Sequence, residues 1–281
     1  MDVAASILAG RRAIVTGAAQ GLGRAFATAF ARAGAAVAVC DTRPDVQELA
    51  AIGWAAVADV SDPGAVRAFV AEAARRMGGV DILVNNAGVV RRTSPVEDPW
   101  DRAVADFDAV VGVNLRGAYL AGRAAIPHLV RQGGDILNIT SDHIRTCGYP
   151  EAVDHHDAAG CRWAGTRRPP LGGPSYDVYD SSKWGLHGLT HVWARALAPH
   201  GVRVNSLGMG ATDTPMIRAH LEAKGAQPPP GLMAAEQVAA VAVELLAEGP
   251  GGRTGDHVQL WLDHPCRLPP VGLDGRLAQQ I

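Results

Sequence analysis

Several features are scarce in this chain, and each scarcity excludes a class of protein. No run approaches the ~18–20 apolar residues that span a bilayer, so we expect no membrane anchor. Lysine and arginine number 26 against 28 acidic residues, which leaves no basic surface for nucleic acid. The four cysteines are scattered without a CxxC pair, as is typical of reduced cytoplasmic thiols. The first ten residues carry no secretory signal pattern, so we expect a cytoplasmic protein.

Apolar residues are plentiful, at 48% of 281, and can bury a substantial core. Short β-rich runs alternate with alanine-rich helical runs, and the strands are apolar on both faces. This order predicts an α/β fold, a Rossmann-like doubly wound parallel sheet in a single domain. Strands are predicted at Ala13–Thr16, Ala36–Asp41, Trp54–Val60, Asp81–Asn85, Asp135–Thr140, Val202–Leu207 and His257–Leu262. Helices are predicted at Leu22–Ala33, Pro63–Met77 after a Ser61 cap, Val113–Arg131, Tyr176–Pro199 and Ala234–Glu248.

A glycine-rich turn, TGAAQGLG, joins the first strand to the first helix. Gly17 permits the tight turn, Gly21 lets the backbone approach a pyrophosphate, and Gly23 allows the helix to pack on the strand. The helix N-terminus presents free N–H groups to phosphates. A strand before and a helix after are the context that this motif requires. We therefore predict that the turn binds a dinucleotide through Gly17, Gln20, Gly21, Leu22 and Gly23.

Asp41 ends the second strand, 18 residues past Gly23. A carboxylate there can accept hydrogen bonds from the adenosine ribose hydroxyls. The 2′-phosphate of NADP would face this carboxylate, and Gln20 in the turn is neutral. Arg43 lies nearby, and its positive charge would instead favour the 2′-phosphate of NADP. The balance predicts NAD as the cofactor in preference to NADP.

Four residues indicate proton-transfer chemistry. Tyr179 and Lys183 form a YxxxK pair, and their i,i+4 spacing puts both on one helical face. A free phenol has a pKa near ~10, and a nearby ammonium can lower it by ~1–3 units. The tyrosine can then act as a general base toward an alcohol or as an acid toward a ketone. Ser141 follows the fifth strand, and Asn114 lies on the helix before that strand.

With these motifs the sequence resembles the short-chain dehydrogenase/reductase family from about Ala13 to Asp263. The resemblance rests on TGxxxGxG, on NNAG at residues 85–88 and on YxxxK, in this order. It implies that Ser141 orients the substrate oxygen and that Tyr179 transfers the proton. It also implies that Lys183 binds the nicotinamide ribose and tunes Tyr179, while Asn114 holds a water in a proton relay.

The same resemblance extends the predicted cofactor site. Asp59 and Val60 would contact adenine, and Thr214 would contact the nicotinamide carboxamide. Asn86, Ala87 and Gly88 of NNAG, together with Tyr179 and Lys183, would complete the site. A homo-oligomer is implied, and a tetramer is favoured, packed through the helices near Val113–Arg131 and Tyr176–Pro199.

The sequence thus predicts an NAD-dependent oxidoreductase that moves a hydride between nicotinamide and a small-molecule secondary alcohol or its ketone. Two alternatives remain open. The same residues could serve an epimerase or dehydratase with tightly held NAD. A sensor that binds NAD without turnover is the other, although it would not need Ser141, Tyr179 and Lys183.

Two departures from the family pattern concern the substrate side. Met209 stands where the family usually has proline, so the loop beside the nicotinamide could follow a different path. Ser141 and Tyr179 are 38 positions apart, more than is usual in the family, which implies an insertion at about 142–174. Long irregular loops are usually functional or disordered, and we expect a lid or wall of the substrate pocket. A surface excursion without function is the alternative.

The substrate residues predicted on this side are Asp142, His143 and Met209. Cys147, His155, His156 and Cys161 lie within the insertion, but their spacing matches no common zinc site, so no metal is predicted. His187 and His191 are predicted to be ordinary helix-face residues. The connection Thr212–Gly231 is predicted to be mobile, and the tail from His264 to Ile281 contains no predicted element.

Overall fold

A single parallel sheet of seven strands organises the computed structural model of this chain. The structure describes residues 7–144, 176–223, 225, 227–228, 232–260 and 265–271. The sheet strands are β1 (Arg12–Thr16), β2 (Ala36–Asp41), β3 (Trp54–Val57), β4 (Ile82–Asn85), β5 (Gly134–Ile139), β6 (Val202–Met209) and β9 (His257–Leu260). Two-residue strands β7 (Thr212–Asp213) and β8 (Met233–Ala234) pair with each other. The main sheet has the order β3-β2-β1-β4-β5-β6-β9, which confirms the doubly wound fold.

Helices cover both faces of the sheet. They are α1 (Gly21–Arg32), α2 (Pro63–Met77), α3 (Trp100–Val111), α4 (Ala118–Leu129), α5 (Asp177–Leu197), α6 (Pro215–Ala223) and α7 (Ala235–Ala247). One apolar core lies under α1 and α7, where Phe26 and Phe30 are fully buried. A second core lies on the opposite face under α2, α4 and α5, with Phe69 and Trp193 among its members. Because both faces are covered, the strands are apolar on both sides.

The chain order reverses between β1 and β4, which are neighbours in the sheet. Strands β2 and β3 lie on one side of this point, and β5, β6 and β9 lie on the other. Loops that leave the carboxyl ends of the two central strands therefore diverge and leave a crevice. The glycine-rich turn follows β1 and the NNAG segment follows β4, so both motifs lie at this crevice.

Two local predictions need correction. Helix α2 is capped by Asp62 and not by Ser61, because the Asp62 carboxylate accepts the N–H groups of Gly64 at 2.7 Å and Ala65 at 3.0 Å. The predicted Val113–Arg131 helix begins earlier, since helical structure runs from Trp100 through a π-helix at Gly112–Gly117 to Leu129. The connection Thr212–Gly231 contains the regular elements β7 and α6, and its mobility stays a prediction.

Helix α3 is missing from the predicted helices, although its apolar residues recur at helical spacing, at positions 100, 103, 104, 107, 110 and 111. This apolar stripe is mostly exposed, since Val110 is the one buried residue within α3 and the side chains of Val104 and Phe107 are exposed. Most of the insertion predicted at 142–174 lies outside the described residues, as do Cys147, His155, His156 and Cys161. Within the described ranges, none of the helices has the length and apolar character needed to cross a membrane.

Candidate active site

The glycine-rich turn is shaped by close backbone approaches. Gly17 has φ +66°, and a Cβ on it would lie 2.6 Å from the Cα of Ala87. A Cβ on Gly23 would lie 2.1 Å from the carbonyl oxygen of Gly17. No larger residue fits either position without moving backbone. The turn leads directly into α1, which begins at Gly21 after the N-cap residue Gln20.

The NNAG segment braces this turn from the neighbouring strand. Asn86 Nδ2 donates hydrogen bonds to the carbonyl oxygens of Thr16 at 2.9 Å and Gly17 at 2.8 Å. Thr16 Oγ1 accepts the N–H groups of Asn86 and Ala87, each at 3.1 Å. Asn86 and Thr16 therefore hold the glycine-rich turn in place beside the predicted cofactor site.

Asp41 lies at the carboxyl end of β2 against the same turn. Its Oδ2 accepts the N–H of Ala19 at 2.9 Å, which holds the carboxylate beside the turn. Two nearby arginines are paired with other carboxylates. Arg43 bonds Asp45 at 2.6 Å, and Arg24 bonds Glu48 at 2.9 Å.

The other predicted cofactor residues surround the crevice. Asp59 follows β3 and accepts both the N–H and the hydroxyl of Ser61 at 2.8 Å. Val60 is buried, and Thr214 lies beside Gly21, where an added Cβ would meet the threonine at 3.4 Å. Leu22 packs against the first core. These placements agree with a shared site, whereas the contacts to a cofactor stay predictions.

Tyr179 and Lys183 lie on one face of α5, as their spacing predicts. The Lys183 ammonium is buried, and its Nζ donates to the carbonyl oxygen of Ile139 at 2.8 Å. The same Nζ lies 5.6 Å from the centre of the Tyr179 ring. Ser141 is buried just past the end of β5 and forms a hydrogen bond to the Tyr179 phenol. The three predicted catalytic groups therefore meet at the carboxyl edge of the sheet.

The protonation of this group differs from the sequence expectation. Burial raises the pKa of Tyr179 to about 12, and the carboxylates of Asp142 and Asp180 act in the same direction. The hydrogen bond from Ser141 lowers this pKa without reversing the shift. Burial also lowers the pKa of Lys183 to about 8, because desolvation disfavours the ammonium. The pKa of the phenol is thus raised, in contrast to the lowering by Lys183 that the sequence predicts.

Asn114 lies in the π-helix between α3 and α4, a rare geometry that often marks functional sites. Its amide oxygen accepts the N–H of Val89 at 2.8 Å, and its Nδ2 donates to the Val89 carbonyl at 2.9 Å. Nδ2 also donates to Ser182 Oγ at 3.0 Å, and Ser182 donates to the Tyr179 carbonyl at 2.7 Å. Gly88 lies close to both Asn114 and Lys183, since its Cβ would lie 3.4 and 3.5 Å from them. Asn114 therefore connects the NNAG loop to the helix of Tyr179.

The predicted substrate residues lie beside the ends of β5 and β6, where the Asp142 N–H donates to the Met209 carbonyl oxygen at 3.1 Å. Asp142 Oδ1 lies 3.3 Å from Ser141 Oγ, and the His143 ring lies against Tyr179 with centroids 5.5 Å apart. Met209 ends β6 with only 7% exposure, and its side chain packs within the first core. Contact between Met209 and a substrate stays a prediction.

Sequence reasoning missed Asp180, which bonds His143 at 2.7 Å beside Tyr179. It also missed a packing contact between elements, in which Thr93 after β4 donates to Asp177 at the start of α5. No spacing rule connects these partners, because they are far apart in the chain. Among the described residues, no group of three or more His, Cys, Asp or Glu side chains could hold a metal ion.

Comparison with known proteins places this geometry in a family. Residues 11–151 match the family model described as short chain dehydrogenase, and residues 170–260 match the one described as enoyl-(acyl carrier protein) reductase. The chain belongs to the short-chain dehydrogenase/reductase family. The suggested resemblance is thereby confirmed.

Three relatives illustrate the range of this family. A short-chain dehydrogenase/reductase of Armillaria gallica is 34% identical, covering 75% of this chain and 74% of its own. D-beta-hydroxybutyrate dehydrogenase of Rhizobium meliloti is 29% identical, with 89% and 96% covered. A short-chain dehydrogenase of Burkholderia cenocepacia, solved in complex with NADP, is 34% identical with a TM-score of 0.70, covering 91% and 98%. The protein is thus an oxidoreductase of the short-chain dehydrogenase/reductase family that uses a nicotinamide cofactor.

Proposed function

We propose that this short-chain dehydrogenase/reductase uses NAD to interconvert a secondary alcohol and its ketone by direct hydride transfer. The observation that carries the proposal is the convergence of Ser141, Tyr179 and Lys183 beside the crevice that holds the glycine-rich turn. The cradle suits a dinucleotide, because Gly17 and Gly23 leave no room for side chains where the backbone must approach phosphates. NAD, when bound, supplies the hydride acceptor, and NADH supplies the donor.

The residues of the chain divide the remaining work. Tyr179 holds or takes the proton at the substrate oxygen, and Ser141 orients that oxygen by a hydrogen bond. Lys183 binds the nicotinamide ribose from its buried position under the NNAG loop. Asn114 holds the relay to solvent, and its side-chain bonds to Val89 and Ser182 keep the π-helix next to α5.

The choice of NAD rests on Asp41. Its carboxylate faces the turn, and the nearest arginines, Arg43 and Arg24, are engaged by Asp45 and Glu48. A phosphate dianion beside that carboxylate would be repelled by a few kcal/mol at an effective dielectric of about 20. The alternative is a preference for NADP, because the Burkholderia relative was solved in complex with NADP.

The first experiment measures NADH absorbance with a panel of secondary alcohols, including D-β-hydroxybutyrate because of the Rhizobium relative. We expect net NADH formation with at least one alcohol and none with Tyr179→Phe. Epimerisation or dehydration of a substrate without net NADH would instead favour an epimerase or dehydratase that retains its cofactor.

The second experiment compares kcat/KM for NAD and NADP. We expect wild type to prefer NAD and Asp41→Ala to lose at least tenfold of that preference, about 1.4 kcal/mol. Asp108→Ala, at an exposed position of α3, is the control for removing one carboxylate. A wild type that prefers NADP, or an unchanged preference in Asp41→Ala, contradicts the assignment.

We also propose that the protein is a cytoplasmic homotetramer. An apolar cleft of about 520 Å³ lies between the π-helix with α4 and helix α5, and Leu115, Tyr119, Leu189 and Val192 line it. Val192 is 64% exposed in the single chain, as expected of a surface that a second copy covers. Val192→Glu should lower the mass measured by light scattering, whereas Val96→Glu should not. Cell fractionation tests the location.

A further inference from the structure

A histidine–carboxylate pair lies beside the catalytic tyrosine and belongs to no part of the proposed mechanism. His143 Nδ1 is 2.7 Å from Asp180 Oδ1, and both side chains are 39% exposed. Asp180 directly follows Tyr179 on α5, while His143 comes two residues after Ser141. Because the partner oxygen belongs to a carboxylate, the hydrogen between them resides on Nδ1 of the imidazole.

His143 contacts both proton-handling residues of the site. Its backbone N–H donates to Ser141 Oγ at 3.2 Å. Its ring meets the Tyr179 ring nearly edge-on, with centroids 5.5 Å apart and an interplanar angle of 86°. The Tyr176 ring contacts it from the start of α5, with centroids 5.7 Å apart. These contacts connect the loop after β5 to the helix that carries the tyrosine.

The charges around Tyr179 define what this pair can do. On its own helix the phenol is accompanied by the Asp180 carboxylate and the Lys183 ammonium, and the loop after β5 adds Asp142 and His143. Both carboxylates oppose ionisation of the phenol. Lys183 is buried, and its Nζ donates to the Ile139 carbonyl. A hydrogen-bond donor to the Asp180 carboxylate therefore changes how strongly this carboxylate raises the pKa of Tyr179.

We infer that His143 and Asp180 form a positioning pair that sets the pH range in which Tyr179 transfers its proton. The inference rests on the proposed function of Tyr179. The Nδ1–H group of His143 donates a hydrogen bond to the Asp180 carboxylate. This bond weakens the negative electrostatic potential that Asp180 produces at the Tyr179 phenol. A protonated His143 makes the pair neutral and strengthens the same effect. The pair forms no bond to the substrate carbon and carries no hydride.

The test compares three variants with wild type. His143→Phe keeps an aromatic ring against Tyr179 and removes the donor, so the ionisation of Tyr179 should shift to higher pH by about one unit. His143→Gln keeps a donor and should shift it less. Asp180→Asn removes the charge at nearly constant volume and should shift it to lower pH. The double variant His143→Phe/Asp180→Asn should match Asp180→Asn, because His143 acts on Tyr179 through the Asp180 carboxylate.

Two measurements report the shift. The first is the pH dependence of kcat/KM for alcohol oxidation, where the rising limb should move with each variant. The second is NMR of protein with ¹³C-labelled tyrosine, recorded without cofactor. The chain has four tyrosines, and the Tyr179 signal is the one absent from Tyr179→Phe. The pH at which this signal begins to move needs no turnover, so it tests the pair even if the proposed reaction is wrong.

Asp177→Asn is the matched control, because Asp177 lies one turn earlier on α5 and bonds Thr93. It should leave both readouts near wild type. A uniform loss of rate across pH in His143→Phe, with an unmoved Tyr179 signal, would show a purely structural role and overturn the inference. Equal shifts in Asp177→Asn and Asp180→Asn would overturn it as well. Asp180→Asn retains the test if His143→Phe does not fold.

Discussion

Burial acts on both members of the Tyr179–Lys183 pair, because each must lose water to occupy its place on α5. The pKa of Tyr179 rises to about 12 and that of Lys183 falls to about 8. Both shifts disfavour the charged forms. We therefore expect proton transfer at neutral pH to depend on the groups around the pair, which include Ser141, Asp142 and the His143–Asp180 pair.

At the residue scale the sharpest prediction concerns the phenol. Tyr179→Phe should lower kcat by at least about 10²-fold, the usual contribution of a general acid–base group. The affinity for NAD, measured by fluorescence titration, should change little because the ring and Lys183 remain. Tyr119→Phe, at an exposed position of α4, is the control. A Tyr179→Phe enzyme with more than a tenth of wild-type kcat contradicts this assignment.

A second residue-scale prediction concerns His187, which lies among other histidines. Its Nε2 is 3.2 Å from Nε2 of His191, and its ring centroid is 4.8 Å from that of His257. Burial, assisted by His257 and His191, lowers the pKa of His187 to about 3. The folded chain therefore holds this imidazole neutral, whereas in the unfolded chain it titrates near its ordinary value.

The sign of the pH effect follows from this lowered pKa. The neutral imidazole contributes its full stability above about pH 6.5, and that stability is lost as pH falls toward 3. Urea unfolding should give a free energy at pH 5 below that at pH 8, with a loss of at most about 1.4 kcal/mol per unit before solvent screening reduces it. His187→Gln should flatten this dependence, and His200→Gln should not. An equal slope in wild type and His187→Gln would contradict the prediction.

At the element scale, helices α4 and α5 meet through a glycine. A Cβ on Gly122 would lie 2.3 Å from the Trp193 ring, so the tryptophan packs directly on the α4 backbone. Tyr119, one turn earlier on α4, stacks on Trp193 with ring centroids 5.9 Å apart. This contact sets the distance between α5 and the helix that follows the π-helix of Asn114.

Gly122→Ala should accordingly lower the free energy of unfolding by about 1–3 kcal/mol, the cost of overpacking. Gly188→Ala is the matched substitution, since a Cβ there on α5 meets nothing within 4 Å. It should raise stability by about 0.5–1 kcal/mol, because alanine favours helix over glycine. Urea unfolding measures both variants, and equal effects would show that Gly122 is not constrained by Trp193.

At the scale of the whole molecule, the buried ion pairs and the predicted active site lie at opposite edges of the sheet. Arg203 at the start of β6 bonds Asp135 of β5 at 2.6 Å, and both are almost fully buried. Arg11 bonds the same carboxylate at 2.6 Å. Desolvation raises the pKa of Asp135 in spite of both arginines. The amino edge therefore depends on paired charges, whereas the carboxyl edge presents the crevice.

Arg203→Met should consequently destabilise the fold by about 3–5 kcal/mol, because it leaves a buried carboxylate with one partner fewer. KM and kcat of the folded fraction should stay near wild type, since the ion pair lies at the edge opposite Tyr179. Arg24→Met, which breaks the exposed pair with Glu48, should cost about 1 kcal/mol or less. Similar unfolding free energies for the two variants would contradict the distinction between buried and surface pairs.

The sequence by itself determined the parts that depend on neighbours in the chain. Alternating apolar runs set the strand order along the chain, the glycines of residues 16–23 set the turn, and the i,i+4 spacing put Tyr179 and Lys183 on one face. These signals are local, because backbone conformation and helical periodicity act over a few residues. Helix α3 is missing from the predicted helices although its apolar residues recur at helical spacing. The predicted cap of α2 was wrong because Ser61 and Asp62 are both residue types that cap helices.

Only the tertiary structure decided which distant residues meet and how much water they lose. His143 and Asp180 are 37 positions apart and become partners because the loop after β5 ends beside the first turn of α5. The pKa of Tyr179 moved opposite to the sequence expectation because desolvation depends on everything packed around the phenol. Met209 likewise joined the core because β6 continues through it between β5 and β9. Burial is a property of the assembled layers, and no segment of the sequence specifies it alone.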